Sequence, residues 1–260
     1  MFPSFVLFGR EISMYAIAAV AGLLTAGFYF TKCIKKRGLD DIDATIFLLW
    51  VAIGIFFGSH ILYALTQLDK FGYFLKIRNL QGFKIVVSVI FGGSVFYGGL
   101  FGGIVAGLIT VKAKRLDLAT YADVSASAAP LFHFFGRIGC FLSGCCYGIE
   151  SRFGFAAQNN PYVPEVNGVT RFPVQLVEAG FNLVLFIVFY RLLKSGKCRG
   201  RLFILYLLSY SVIRFSLEFL RGDAVRGFVF GLSTSQFISA IIFVFSCFYL
   251  LGAKIQRKDG

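Results

Sequence analysis

Seven runs of largely apolar residues, each near the roughly 17–25 residues a helix needs to cross the hydrocarbon layer, decide most of what this chain can become. They fall at about 13–31, 44–66, 95–111, 119–145, 174–192, 202–220 and 232–251. Of the 260 residues 57% are hydrophobic and only 15% charged, too few charges to cover a soluble surface of that size. The same balance excludes a disordered chain. The sequence therefore predicts an all-α fold, a polytopic membrane protein with seven transmembrane helices, residues 1–260 forming a single integral membrane domain. The longest connections, about 67–84 and 147–172, are too short for a separate soluble domain. A shorter apolar stretch at 85–93 reads as interfacial or re-entrant.

Lys and Arg number 26 against 13 Asp and Glu, a net charge of +13. In a soluble protein that excess would suggest nucleic acid. In a membrane protein it belongs to cytoplasmic loops, and no nucleic-acid partner is expected. Fifteen of the 26 follow spans one, three, five and seven, nine lie on the opposite side, and Arg137 and Arg214 fall within or at the edge of spans. This bias predicts the N-terminus outside and the C-terminus in the cytoplasm. The outer nine exceed what topology requires, so some of them have work there. Span one does not read as a cleaved signal peptide, because its basic residues follow it. Cys33 in Phe30-Thr31-Lys32-Cys33 lacks the small residues of a lipoprotein cleavage site. Paired glycines at 92–93, 98–99 and 102–103 mark a segment where backbones approach closely or a ligand headgroup is admitted.

Ionisable groups inside apolar helices carry most of the functional information, since each is unfavourable there without a partner or a task. Tyr210, Arg214 and Glu218 are spaced by four and Arg221 follows three later, which stacks all four on one helical face. One reading is a self-neutralising Arg–Glu–Arg ladder. The other is a cation-rich face for a lipid phosphate. His133 and Arg137 are one turn apart in a segment with Gly136, Gly139, Gly144 and Gly148, where the backbone is open and a guanidinium can hold phosphate through paired donors. Two arginines against one carboxylate predict a net positive pocket. Tyr97 reads as an interfacial aromatic, His60 as a residue that packs or hydrogen-bonds, and Glu178 as a carboxylate placed favourably near a helix start.

Six cysteines and two histidines do not make a disulfide framework. Cys140, Cys145 and Cys146 read as buried packing thiols, as a redox or disulfide site on an oxidising side, or as metal ligands short of the four that zinc prefers.

In order and spacing these segments resemble those of the prolipoprotein diacylglyceryl transferases. Gly136-Arg137-Ile-Gly139, with Gly144 and Gly148 beyond, is similar to that family's Gly-Arg-x-Gly-Asn-Phe-x-Asn-Gly-Glu-x-x-Gly. Tyr15 follows Ile12-Ser13-Met14 at the start of span one. Phe96-Tyr97-Gly98-Gly99-Leu100 looks like Phe-His-Gly-Gly-Leu, and Pro173-Val-Gln175-Leu-Val-Glu178 like Pro-x-Gln-Leu-Tyr-Glu. Tyr210-x3-Arg214-Phe-x2-Glu218-x2-Arg221 is similar to Tyr-x3-Arg-Phe-x2-Glu-x2-Arg. The likeness spans nearly the whole chain, and seven spans with the N-terminus outside is the family's topology. Three positions depart: Tyr97 stands where the family has His, Cys140 where it has Asn, and Cys145 where it has Glu.

The resemblance implies a multi-pass protein of the bacterial cell (inner, or plasma) membrane that moves diacylglyceryl from phosphatidylglycerol to the lipobox cysteine of a prolipoprotein signal peptide. The expected partners are those two substrates and the lipid bilayer, and neither cofactor nor metal is expected. Catalytic roles fall to His133 as a relocated base, Tyr97 and Tyr210. Substrate binding falls to Arg137, Arg214, Glu218, Arg221, Tyr15, Gly98, Gly99, Gly139 and Gly148. The alternatives are a same-fold protein that binds or transfers another anionic lipid, a non-catalytic lipid-binding or transport paralogue, and thiol chemistry at the three cysteines.

Overall fold

A computed structural model describes residues 2–93, 95–223, 228–229 and 231–255. A short antiparallel hairpin, β1 (Ser4–Leu7) and β2 (Arg10–Ser13), leads into α1 (Met14–Lys35), which is followed by α2 (Asp41–Leu65). A 3-10 stretch (Leu68–Lys76) precedes α3 (Leu80–Phe91), α4 (Phe96–Lys114) and α5 (Leu118–Ser143). After strand β3 (Glu150–Phe155) come α6 (Val174–Ser195), α7 (Leu202–Glu218), a second hairpin of β4 (Phe228–Val229) with β5 (Leu232–Ser233), and α8 (Thr234–Ile255). A helix therefore occupies each of the seven predicted runs, and the 85–93 stretch lies largely in the short helix α3. Among the described residues the all-α expectation is modified by these brief strands, which lie before α1 and between later helices. Among the described residues four helices are long and apolar enough to cross a membrane: α1, α2, α6 and the Thr234–Gly252 part of α8.

Exposure runs opposite to that of a soluble fold. Leu24, Phe28, Trp50, Phe101, Val184 and Phe248 point outward, while Gln175, Glu178, Asn182, Arg214, Glu218 and Ser239 are buried. Lipid tails solvate the former at no loss, whereas the latter must satisfy one another inside.

The chain divides into two compact units, one of residues 34–121 and the other of residues 1–33 and 122–260. In the first, α2 and α4 cross on facing glycines. A Cβ on Gly54 or Gly58 would strike the carbonyl oxygen of Gly102 or Gly98, and the reverse holds for both partners. Dispersion between closely approached backbones holds such a pair together where no hydrophobic drive exists. Asp40 caps α2 by accepting from Ile42 N at 2.7 Å, and Asn79 caps α3 from Gly82 N at 2.7 Å. His60 Nδ1 sits 2.7 Å from the Phe91 carbonyl and 2.8 Å from that of Gly93, which makes it a tie to the end of α3.

The second unit packs α1, α5, α6, α7 and α8. Tyr29 of α1 donates to Ser127 of α5 at 2.9 Å. Buried Asp123 of α5 accepts from the backbone N–H of Gly200 at 2.6 Å and of Leu202 at 3.0 Å, so a distant carboxylate satisfies the donors that open α7. A reciprocal pair, Gln236 N to Ser233 Oγ and Ser233 N to Gln236 Oε1, starts α8. Buried Asn160 organises the 147–172 connection: its Nδ2 reaches the Ser143 carbonyl at the end of α5, and its Oδ1 accepts from Tyr162 N and Val163 N.

Candidate active site

Three arginines of the second unit meet three carboxylates. Arg137, one turn after His133 on α5, reaches Glu178 of α6 through Nη2 at 3.0 Å. Arg214 and Glu218, at i and i+4 on α7, pair at 2.6 Å. Arg221, just beyond α7, holds Asp223 with two donors, Nε at 3.0 Å and Nη2 at 2.9 Å. The expected excess of positive charge is therefore corrected. Counting along α7 alone gave two cations to one anion, but α6 and the segment after α7 each supply a further carboxylate.

These pairs are linked. Tyr210 donates to the same Glu178 oxygen at 3.0 Å, and both Arg137 and Arg214 act electrostatically on its phenol. Arg214 Nη2 also donates to Ser235 of α8 at 3.1 Å. Its other terminal nitrogen, Nη1, is buried without a hydrogen-bond partner among the described residues. A guanidinium carries five N–H donors, so an ion pair that uses one or two leaves others for a ligand. A buried orphan donor is unfavourable by about 1–3 kcal/mol, so Nη1 can take an acceptor.

His133 lies against Tyr206 and Tyr210. Its Nδ1 is 3.0 Å from the Tyr206 hydroxyl, and its ring centroid is 5.2 Å from that of Tyr210. A further side-chain hydrogen bond joins the His133 ring to Asn182 of α6. Burial pushes the Asp223 carboxyl, beyond the end of α7, above its ordinary range, with Arg221 opposing the shift.

The predicted glycines divide by role. A Cβ on Gly139 would sit 3.0 Å from Ala18 Cβ and 3.2 Å from Tyr15 Cδ2, so Gly139 and Tyr15 form the contact between α5 and α1. Gly148 lies against the Phe172 carbonyl, where a side chain would collide, and its backbone bridges that of Arg221. Gly136, next to Arg137, faces open space. Tyr97, Gly98 and Gly99 open α4 in the other unit, where Gly98 is packed against Gly58 and Leu62, and Gly99 against Ile55.

Sequence reading missed Glu178, Asp223, Tyr206 and Ser235 as members of this cluster. The dipole account of Glu178 gives way to a direct one, since its carboxylate is spent on Arg137 and Tyr210. Asp223 was within reach, two residues after Arg221. Tyr206 continues the four-residue spacing of Tyr210 and Arg214 one turn earlier.

Long apolar helices around a buried, linked set of arginines, carboxylates and tyrosines define a polytopic membrane protein with an internal ionic site. Residues 3–251 match the family model described as "Prolipoprotein diacylglyceryl transferase". The chain belongs to that family. It is similar to the phosphatidylglycerol--prolipoprotein diacylglyceryl transferase of Clostridium tetani, with 33% identity over 248 residues, 94% of each chain. A second relative, phosphatidylglycerol--prolipoprotein diacylglyceryl transferase 2 of Clostridium perfringens, is 33% identical over 245 residues, 92% of this chain and 90% of its own. A third, from Campylobacter hominis, is 31% identical over 277 residues, 98% of this chain and 92% of its own.

Proposed function

We propose that this protein transfers the diacylglyceryl group of phosphatidylglycerol to the lipobox cysteine thiol of a prolipoprotein. It would do so as one seven-span domain of the bacterial cell membrane with its N-terminus outside. The observation that carries the reading is the buried, unpartnered Nη1 of Arg214 beside the Arg137–Glu178–Tyr210 chain. Arg137 and Arg214 hold the phosphate with the donors their own carboxylates leave free. Glu178 and Glu218 orient them, while Arg221, buried and held by Asp223, adds positive charge from beyond α7 rather than at an exposed rim. The thiol gives its proton to the imidazole of His133, and the resulting thiolate attacks the glyceryl carbon. A C–S bond forms as the C–O bond to phosphate breaks, the electron pair leaves with glycerol phosphate, and the guanidinium groups stabilise the departing charge. Tyr210, whose one O–H donates to Glu178, holds that carboxylate against Arg137.

The test is release of glycerol phosphate from headgroup-labelled phosphatidylglycerol in the presence of a lipobox peptide, with Arg137→Ala alongside. Release by the wild type and its loss in the variant support the reading. A silent wild type beside an active relative moves the assignment to an anionic-lipid-binding protein, the reading that Tyr97 in place of the family's His favours.

A further inference from the structure

We propose that Cys140, Cys145 and Cys146 form a three-thiolate site for a soft monovalent cation of the Cu(I) type, independent of the transfer reaction. The three Sγ atoms all lie within 4.8 Å of one another. A metal bound in a trigonal plane at about 2.3 Å from each sulfur sets them about 4 Å apart, so closing the site needs less than about 1 Å of movement.

The backbone is arranged for this convergence. Neighbouring side chains on a helix or strand diverge, so two consecutive cysteines do not normally point to one place. Here α5 ends at Ser143, Gly144 takes a φ of 78°, and Cys146 itself takes a φ of 57°. That left-handed conformation is uncommon for a residue with a side chain. It turns the chain back on itself and brings two new thiols to the one that the last turn of α5 already presents. Buried Gln175 of α6 fixes the turn by donating to the Cys145 carbonyl at 2.8 Å. Thiols that only fill space are normally buried. Cys140 is, but Cys145 and Cys146 keep some exposure, which leaves a way in.

The donor set selects the ion. Among the described residues no histidine or carboxylate joins the three sulfurs at that distance. A structural zinc ion wants four protein ligands, whereas an all-thiolate set suits Cu(I). Three thiolates around a single positive charge leave a net negative centre, and Arg137 and Arg221 both act electrostatically on Cys146.

The measurement is Cu(I) transfer from a colorimetric Cu(I) chelator to the full-length reduced protein in detergent, followed by alkylation and mass-spectrometric counting of the six thiols. One equivalent of Cu(I) taken up, with Cys140, Cys145 and Cys146 protected and Cys33, Cys198 and Cys247 still alkylated, is the expected result. A Cys33→Ser, Cys198→Ser, Cys247→Ser protein, which keeps the trio, should bind as the wild type does, and Cys145→Ser should weaken binding at least tenfold. Failure to take Cu(I) from the chelator, protection of the other three thiols, or tighter binding of Zn(II) than of Cu(I) would each overturn the assignment. The wild-type protection pattern needs no variant to fold.

Discussion

Glu178 of α6 and Arg137 of α5 form an ion pair 3.0 Å long, with the carboxylate side chain only 2% exposed and the guanidinium 17% exposed. The more accessible partner is the cation, so the pair holds Arg137 in place while leaving part of it toward whatever enters. Glu178→Gln keeps the shape and a hydrogen bond but removes the compensating charge. Losing one charge-assisted interaction is worth about 10–100-fold in rate. Glycerol phosphate release by the variant should fall by that factor with the protein still folded, and an unchanged rate would remove Glu178 from the site.

Arg214 and Glu218 are both nearly sealed, at 8% and 6% side-chain exposure. Arg214→Ala strands a buried carboxylate and is expected to destabilise the protein by about 3–5 kcal/mol as well as abolish activity. Arg214→Lys retains the charge but loses the planar set of donors that reaches Ser235, Glu218 and the open position. It should therefore fold and fail in catalysis, a separation seen by comparing thermal unfolding midpoints with turnover.

His133→Ala is expected to abolish transfer more completely than Tyr97→Phe. Tyr206→Phe removes the group facing Nδ1 and should lower the rate while changing its pH profile, because the imidazole loses one of its hydrogen-bond partners. Full turnover by the His133 variant would reject it as the base.

Hydrogen bonds from the Ser4 and Tyr162 hydroxyls hold the exposed carboxyl of Glu11, outside the spans, below its ordinary pKa. A group lowered on folding adds stability that is complete above its unfolded pKa and is lost as pH falls through the lowered folded value. Tyr162→Phe should thus reduce amide protection of the β1–β2 hairpin at neutral pH, corrected for intrinsic exchange, and have little effect in acid. An equal difference at both would mean that ring packing, not the carboxylate, makes the tie.

Gly58→Val and Gly102→Val should each prevent α2 and α4 from closing, since the added carbons collide with carbonyl oxygens rather than with movable side-chain ends. The expected readout is loss of folded, monodisperse protein in detergent.

The helices were legible because apolar length alone specifies them in lipid. The Arg214–Glu218 pair was legible because it is written into one helix at a spacing of four. Partners drawn from different helices were not. Nothing near Glu178 announces Arg137, which lies 41 positions earlier in the chain, and their meeting depends on how α5 and α6 pack. The same holds for Asp123 and for Asn160, whose roles consist of backbone groups they satisfy elsewhere. The paired glycines at 98–99 and 102–103 were legible as sites of close approach, although not that α2 supplies the facing glycines.

The link from Asp123 to the backbone at Gly200 spans 77 positions, with the acceptor synthesised first. A ribosome making this chain therefore delivers the turn between α6 and α7 to a carboxylate that is already made. Should α5 be out of place, that turn has its amides unmet, and the start of α7 is left without its cap.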